Sequence, residues 1–241
     1  MNKKLALIAL MAIAALVWGK PASGKSAVGS FKDSRDGRIY KTVKIGDQVW
    51  MAQNLNYGKA MRVTAKPTVG QKYCLDNVLE NCEQRGGLYT WEMALQSCPK
   101  GWHLPTKAEW TKLVHNVTSI CDNFESLEGE CNGASVHESL LQAAKIDGVI
   151  LGKDDFGFGA SPSGDISLKH YDEDGRPVDS VKHFREPWYV AFWSSTTNDE
   201  DSTRADVFGF DVDGKNISTT DNYFGRLYKN INAIGVRCLK D

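Results

Sequence analysis

Six cysteines constrain what this 241-residue chain can fold into more than any other feature of its sequence. An even number of cysteines in an exported protein is typical of disulfide bonds, and the lack of any C-x-x-C pair argues against a zinc site. Proximity along the chain predicts the disulfides Cys74–Cys82 and Cys121–Cys131. The two cysteines that remain, Cys98 and Cys238, then form the third, although six cysteines allow many other pairings.

A bridge between Cys98 and Cys238 ties the middle of the chain to its last residues. In the chain-entropy account, closing a loop of this length stabilises a fold by about 5 kcal/mol. Such a bridge predicts a single domain whose last strand returns to an early helix. Residues 25–32, which precede that domain, are predicted to be a flexible lead.

The first 24 residues have the pattern of a secretory signal peptide. Lys3 and Lys4 are followed by fourteen apolar or small residues at 5–18, a run too short to span a membrane. Cleavage is expected after Gly24, with Gly19 as the alternative. The chain is therefore expected to be exported to the periplasm, the outer surface or the medium, with no transmembrane segment after cleavage.

A complete phosphate-binding pattern, GKPASGKS at residues 19–26, spans the expected cleavage site. A working site of this kind needs a strand before the pattern and a helix after it, and the sequence supports neither. Cleavage after Gly24 also cuts the pattern in two. The pattern is therefore interpreted as a chance match, and nucleotide hydrolysis is not expected.

Charge argues against a nucleic-acid partner. Removal of residues 1–24 takes away three lysines and no acid, so the formal net charge falls from −1 to −4. A protein that binds nucleic acid presents a basic face, which this balance does not favour.

Helical patterns lie mainly in the first half of the chain. Alternating apolar residues around a turn at Gly46-Asp47 first predict a β-hairpin. Helices are predicted to start at Thr90, at Thr106 and at Ser135. The last two starts are capping boxes, because a glutamate follows each of them three residues later.

Strand patterns dominate the second half. Apolar or alternating runs predict strands at residues 189–195 and 204–212, and long loops are predicted at residues 152–188 and 196–204. Helices early and short antiparallel strands late predict an α+β fold.

Four stretches carry a resemblance to a known family. They are LYTWEMALQSCPKGWHLPTKAEWTKLV at residues 88–114, DGRIYKTVKIGDQVWMAQNLNY at 36–57, FWSST at 192–196 and IGVRCLKD at 234–241. In this order they resemble the Fibrobacter succinogenes major paralogous domain family. The resemblance covers roughly residues 33–241.

A second, more distant resemblance concerns HLPTKAEW at residues 103–110, which is similar to a helix start in the formylglycine-generating, sulfatase-modifying enzymes. It implies a C-type-lectin-like fold with helices packed on a small twisted antiparallel sheet, bridged by disulfides. Those enzymes use a pair of cysteines in their C-terminal half, where this mature chain has only Cys238. Their copper-dependent oxidation is therefore not carried over, and the chain is expected not to be an enzyme.

Calcium is the cofactor that the lectin resemblance raises. In the two matching loops, Trp188 and Ser194 stand where a sugar-binding lectin has asparagine, so both ligand positions are lost. A weaker calcium candidate is formed by Asp172, Asp174 and Asp179, but their spacing does not match a calcium-binding loop. A solvated turn is the preferred interpretation, and no cofactor or metal is expected.

His103 and Glu109 receive structural interpretations. No nucleophile or acid stands beside His103 in the sequence, so a hydrogen bond to backbone is expected for its ring. The capping box that starts at Thr106 accounts for Glu109.

Ligand-binding residues are predicted on the long loops, because such loops often carry binding residues on a rigid scaffold. A sugar needs an aromatic ring to stack on and polar groups for its hydroxyls, and the residues predicted to supply these are Glu186, Trp188, Asn198 and Asp199. The alternative for Trp188 is that its ring pins its own loop onto the strand at 189–195.

The sequence thus predicts an exported, non-enzymatic binding or cell-surface module that recognises a glycan, a polysaccharide or another partner in the cell envelope. Two alternatives stay open. One is a secreted or periplasmic enzyme, hydrolase-like, that uses loop carboxylates, and the other is a purely structural envelope protein.

Overall fold

A computed structural model describes residues 28–117, 136, 139–142, 145–146, 149–150, 152–171, 177–178, 184–185, 189–211 and 224–241. In chain order its strands are β1 (Val28–Lys32), β2 (Ile39–Ile45), β3 (Gln48–Met51), β4 (Lys59–Met61), β5 (Gln71–Tyr73), β6 (Trp102–His103), β7 (Lys145–Ile146), β8 (Val149–Ile150), β9 (Asp165–Ser167), β10 (His170–Tyr171), β11 (Pro177–Val178), β12 (Phe184–Arg185), β13 (Tyr189–Thr197), β14 (Arg204–Asp211), β15 (Phe224–Tyr228), β16 (Asn232–Ala233) and β17 (Leu239–Lys240). Its α-helices are α1 (Leu79–Arg85), α2 (Trp91–Leu95) and α3 (Lys107–Val117), and a 3₁₀ turn lies at Leu75–Asn77.

The prediction of a C-type-lectin-like α+β fold, with helices packed on one small antiparallel sheet, is wrong. Strands predominate in the described ranges and form several small sheets, whereas the α-helices there are few and short. The largest sheet has the order β1-β2-β3-β17-β6, with antiparallel neighbours throughout. Two three-stranded sheets have the orders β13-β14-β15 and β12-β9-β16, and two-stranded ribbons are formed by β4–β5, β7–β8 and β10–β11.

The predicted hairpin is confirmed as β2 and β3. Gly46 makes its turn with a φ of 61°, a left-handed conformation that favours glycine. The flexible lead predicted at residues 25–32 is wrong for residues 28–32, because they form β1 and pair along β2. The ring of Phe31 on β1 stacks on that of Trp102, with 4.6 Å between centroids, which fixes this strand to the sheet.

Helix content was overestimated at two places. The helix predicted to start at Thr90 is α2, which has only five residues. Of the helix predicted from Ser135, the described residues Val136, Ser139 and Leu140 are helical, whereas Lys145–Ile146 form β7. Short apolar runs do not distinguish a helix from a strand, and Lys145–Ile146 pair with β8.

Aromatic packing places α3 against β13 and β14. Trp110 stacks on Phe208 at 4.5 Å between centroids and on Phe192 at 5.7 Å, and it meets Trp50 at 4.6 Å. Each such pair contributes roughly 0.5–1.5 kcal/mol beyond the burial of its area. Trp110 and Trp193 are fully buried, whereas Trp91 and Trp102 are only partly buried.

Two of the three predicted disulfides are confirmed. Cys74 is bonded to Cys82, and Cys98 is bonded to Cys238, with Cα atoms 5.1 and 5.9 Å apart. The predicted pair Cys121–Cys131 lies outside the described residues. The long-range bridge attaches the segment after α2 to the residue just before β17, as the sequence predicted.

None of the helices in the described part of the chain is both long enough and apolar enough to cross a membrane.

Candidate functional site

A cleft of about 500 Å³, named here the polar cleft, opens between three parts of the chain. Its walls are the start of β2 with residues 52–56, the last turn of α1 with Gly86, and residues 154–161. Side-chain amides are the most frequent polar groups in its lining: Gln53, Asn54, Asn56, Gln84 and Gln142. An amide both donates and accepts hydrogen bonds, so this lining suits a ligand rich in hydroxyl groups.

Asn54 holds the walls of the polar cleft together. Its side chain is 6% exposed, and Nδ2 donates to the carbonyl oxygens of Arg85, at 2.7 Å, and Ser161, at 3.0 Å. Its Oδ1 accepts a hydrogen bond of 2.5 Å from Nη2 of Arg237. One amide therefore joins the end of α1, the 154–161 segment and the C-terminal segment.

Arg237 is a fully buried cation beneath the polar cleft. Its Nη1 donates to the carbonyl oxygens of Met51, at 3.0 Å, and Phe158, and its Nη2 donates to that of Gly159, at 3.0 Å. Burial lowers the pKa of Arg237 to about 9, and the nearby charge of Asp154 opposes this shift. The guanidinium therefore keeps its charge at neutral pH.

Asp154 is the carboxylate of the polar cleft that best fits a general acid, because its pKa is raised. Burial raises its pKa, while a 2.8 Å hydrogen bond from the Gly159 N–H to Oδ1 and the charge of Arg237 oppose that rise. A general acid needs a partner that attacks or accepts a proton. No second carboxylate or histidine is hydrogen-bonded to Asp154 within the described ranges, and Cys82 in the lining is committed to a disulfide.

An ion pair forms another part of the lining. Arg38 donates from Nη1 and Nη2 to the two oxygens of Glu83, at 2.8 and 3.0 Å, and this contact lowers the pKa of Glu83. Asn56 donates from Nδ2 to the same carboxylate at 3.3 Å. Asn56 is 4% exposed, and its Oδ1 has no hydrogen-bond partner among the residues that the structure describes. Because this oxygen is buried away from solvent, it is not available to a ligand in the cleft.

The structure does not assemble the ligand site predicted on the loops. Asn198 is buried, and its Oδ1 accepts from the backbone N–H groups of Glu200, at 3.1 Å, and Asp201, at 3.0 Å. Its Nδ2 donates to Asp206 at 3.3 Å, so the amide stabilises its own loop. Asp199 is exposed.

The other members of the predicted sites lie outside the described residues. They are the ligand-binding candidates Glu186 and Trp188 and the calcium candidates Asp172, Asp174 and Asp179. Among the residues that are described, no three His, Cys, Asp or Glu side chains are grouped so that they could hold a metal ion.

His103 lies between two acids, which corrects the interpretation made from the sequence. Its Nδ1 is 2.7 Å from Oδ1 of Asp241, and its Nε2 is 3.0 Å from Oε1 of Glu109. Partial burial acts against protonation, but these two hydrogen bonds outweigh it and raise the pKa of His103. The predicted capping box is confirmed, because the Thr106 N–H donates to Oε2 of Glu109 at 2.8 Å. None of these residues lines the polar cleft.

Sequence reasoning missed the roles of Asn54 and Arg237. Both residues lie in stretches that carry the family resemblance, at 36–57 and 234–241. A usable signal was present for Arg237, which stands in the apolar run AIGVRCL. A cation in a buried strand-like run must be hydrogen-bonded on several sides, so it marks a place where distant segments meet. Asn54 has no comparable signal, because exposed asparagines are common in turns.

Comparison with known protein families gives a match over most of the chain. The family model described as the Fibrobacter succinogenes major domain matches residues 43–240. No curated protein and no solved structure matches the chain significantly.

Proposed function

The chain belongs to the Fibrobacter succinogenes major domain family, and from that premise we propose that it is an exported binding module that holds a hydroxyl-rich ligand of the glycan class in the polar cleft. The observation that carries the proposal is the lining of this cleft. The amides of Gln53, Gln84 and Gln142, together with the Arg38–Glu83 ion pair, offer donors and acceptors within one concave surface.

The polar cleft is also preorganised. Asn54 and Arg237 fix its walls through hydrogen bonds to the backbone of Met51, Arg85 and Gly159. A site whose walls are already held in place loses little conformational entropy when a ligand binds. This rigidity favours recognition of a ligand by shape and hydrogen bonding.

The enzyme alternative receives less support from the geometry. Asp154 has a raised pKa, but it lacks a hydrogen-bonded nucleophile or base within the described ranges. The structural alternative leaves the amide-lined cleft without a role.

Export is supported by the two disulfides and by the signal-peptide pattern at residues 1–24. N-terminal sequencing of the protein recovered from its native cells is expected to begin at Lys25. A mature protein that still begins at Met1 would contradict export and would leave ligand binding to be judged by its own test.

The binding test is a screen of the purified protein against an array of plant and bacterial cell-wall oligosaccharides, followed by calorimetric titration of each hit. A double variant, Gln84→Ala with Gln142→Ala, removes two amides of the polar cleft. Its affinity is expected to fall about tenfold, because each lost hydrogen bond to a ligand contributes roughly 0.5–1.5 kcal/mol.

Gln96→Ala is the matched control, because Gln96 is an exposed amide on the segment after α2 and does not line the polar cleft. Its affinity is expected to equal that of the wild type. Equal affinities for the wild type and the double variant would place the ligand elsewhere. Turnover of any oligosaccharide during the titration would favour the enzyme alternative.

A further inference from the structure

Two cations of the polar cleft have no acidic partner in the described part of the chain. Arg85 makes one side-chain hydrogen bond there, from Nη1 to the carbonyl oxygen of Pro162 at 3.5 Å. Lys41 is exposed on the outer face of β2, and no described carboxylate pairs with its ammonium group. Both residues line the cleft.

The remaining charges in and under the cleft compensate one another. The carboxylate of Glu83 is bound by Arg38, and Asp154 faces the buried charge of Arg237. Lys41 and Arg85 therefore leave the cleft with an excess of positive charge, although the whole chain has a formal net charge of −1. A concave cationic site on a weakly acidic protein attracts anions locally.

Two consecutive amides bring these cations to the same part of the cleft. Oε1 of Gln53 accepts from the backbone N–H of Lys41 at 2.9 Å, and Nδ2 of Asn54 donates to the backbone carbonyl of Arg85 at 2.7 Å. Lys41 and Arg85 thus flank the dipeptide Gln53-Asn54. The guanidinium of arginine offers a planar fork that matches a carboxylate, and the ammonium of lysine adds a point charge.

An aromatic stacking surface is missing from the described lining of the cleft. Tyr40 is the aromatic residue there, but its side chain is 2% exposed and its hydroxyl accepts a hydrogen bond from the Asn56 N–H at 3.0 Å. A neutral sugar would therefore bind through hydrogen bonds alone, each of which exchanges with water at little net gain. Charge must then supply a large share of the affinity.

We propose that the polar cleft selects oligosaccharides that carry carboxylates, with a uronate carboxylate on Arg85 and Lys41 and the sugar hydroxyls on the neighbouring amides. This inference rests on the proposed function and names the ligand class of the same site. An acidic peptide offers the same charge, but it lacks the hydroxyl groups that the amide lining matches.

The experiment compares a charged and a neutral probe with the same sugar backbone: trigalacturonate and its fully methyl-esterified form. Calorimetric titration of the wild type is expected to give at least about tenfold tighter binding of the acid, with an affinity that falls as salt is added. Arg85→Gln and Lys41→Gln are each expected to weaken binding of the acid about tenfold and to leave binding of the ester unchanged. Lys44→Gln is the matched control, because Lys44 is exposed on the same strand and does not line the cleft.

The outcomes distinguish failure of the uronate inference from failure of glycan binding in the polar cleft. Equal affinities for acid and ester, with binding reduced by Gln84→Ala and Gln142→Ala, would overturn the uronate inference and leave the proposed function in place. Failure of every oligosaccharide to bind would overturn both. Two further outcomes would overturn the inference. One is binding of the acid that survives both Arg85→Gln and Lys41→Gln, and the other is tighter binding of a pentaglutamate peptide than of trigalacturonate.

Discussion

Nη2 of Arg237 donates a hydrogen bond of 2.5 Å to Oδ1 of Asn54, and both side chains are buried. Asn54 belongs to the segment after β3, and Arg237 precedes the disulfide-bonded Cys238. The amide that shapes the polar cleft is thus held by the segment that the Cys98–Cys238 bridge attaches to the fold. Stability of the C-terminal segment and geometry of the cleft should therefore change together.

Replacement of Arg237 by methionine is expected to lower the free energy of unfolding by about 3–5 kcal/mol. The methionine side chain keeps much of the volume but leaves the oxygens of Asn54, Met51 and Gly159 without their donor, and each unsatisfied buried group costs roughly 1–3 kcal/mol. Urea unfolding measures the loss. Arg226→Met is the control, because Arg226 pairs with Glu200 at the surface and such pairs contribute about 0–1 kcal/mol. A loss below about 1 kcal/mol for Arg237→Met would contradict the assigned role.

The two confirmed disulfides are expected to differ in their contribution to stability. Their sequence separations are 140 residues for Cys98–Cys238 and 8 for Cys74–Cys82. Chain entropy then gives losses of about 5 and about 2.5 kcal/mol when each pair is replaced by alanine. Urea unfolding of the two double variants tests this order, and a larger loss for the short-range pair would show that loop length does not govern stability here.

The contribution of His103 to stability is expected to depend on pH. Its folded pKa is raised by Asp241 and Glu109 despite partial burial, so the charged form is stabilised by folding. This stabilisation is fully present below the unfolded pKa, about 6.5, and is lost as pH rises through the folded pKa. His103→Gln should therefore destabilise the protein more at pH 5.5 than at pH 9.

Solvent screening limits the pH-dependent contribution of His103 to the free energy of unfolding. His103 is 37% exposed and the Asp241 side chain 60%, so screening keeps the difference below about 1 kcal/mol. Thermal unfolding of the wild type and His103→Gln at both pH values measures it. A difference between the two proteins that grows with rising pH would refute the assigned ion pairs.

Asn198→Ala is expected to cost about 1–2 kcal/mol of stability and to leave ligand affinity in the polar cleft unchanged. The substitution removes the acceptor for the N–H groups of Glu200 and Asp201 and does not touch the cleft. Asp199→Ala, at the exposed neighbouring position, should change neither property. A stable Asn198→Ala variant with weakened glycan binding would instead support the loop site predicted from the sequence.

The sequence correctly predicted the features that depend only on residues close together in the chain. The turn at Gly46 and the capping box of Thr106 and Glu109 depend on residues a few positions apart, and both are confirmed. The Cys98–Cys238 bridge followed from the pairing of the other cysteines by proximity. The fold class was wrong because pairing of very short strands, such as β6 with β17, depends on distant partners and leaves no periodic pattern.

The candidate site was missed for the same reason. Loop length and aromatic content drew attention to residues near Asn198, where the amide satisfies its own loop. The polar cleft is built from side chains such as Lys41, Arg85 and Gln142, which come together only in the folded chain. Nothing in the sequence near any one of them indicates the other two.

The position of β17 has a consequence for how the chain folds. This strand is inserted between β3 and β6, which precede it in sequence by far more than a hundred residues. Until residues 239–240 arrive, β3 and β6 keep facing edges unpaired, and open edges are templates for pairing with other chains. Insertion of β17 between distant strands is slow, because the chain loses the conformational entropy of the long intervening loop before the strand contacts form. Refolding yield should therefore fall with protein concentration, and self-association should compete with closure of the sheet at the step where β17 enters.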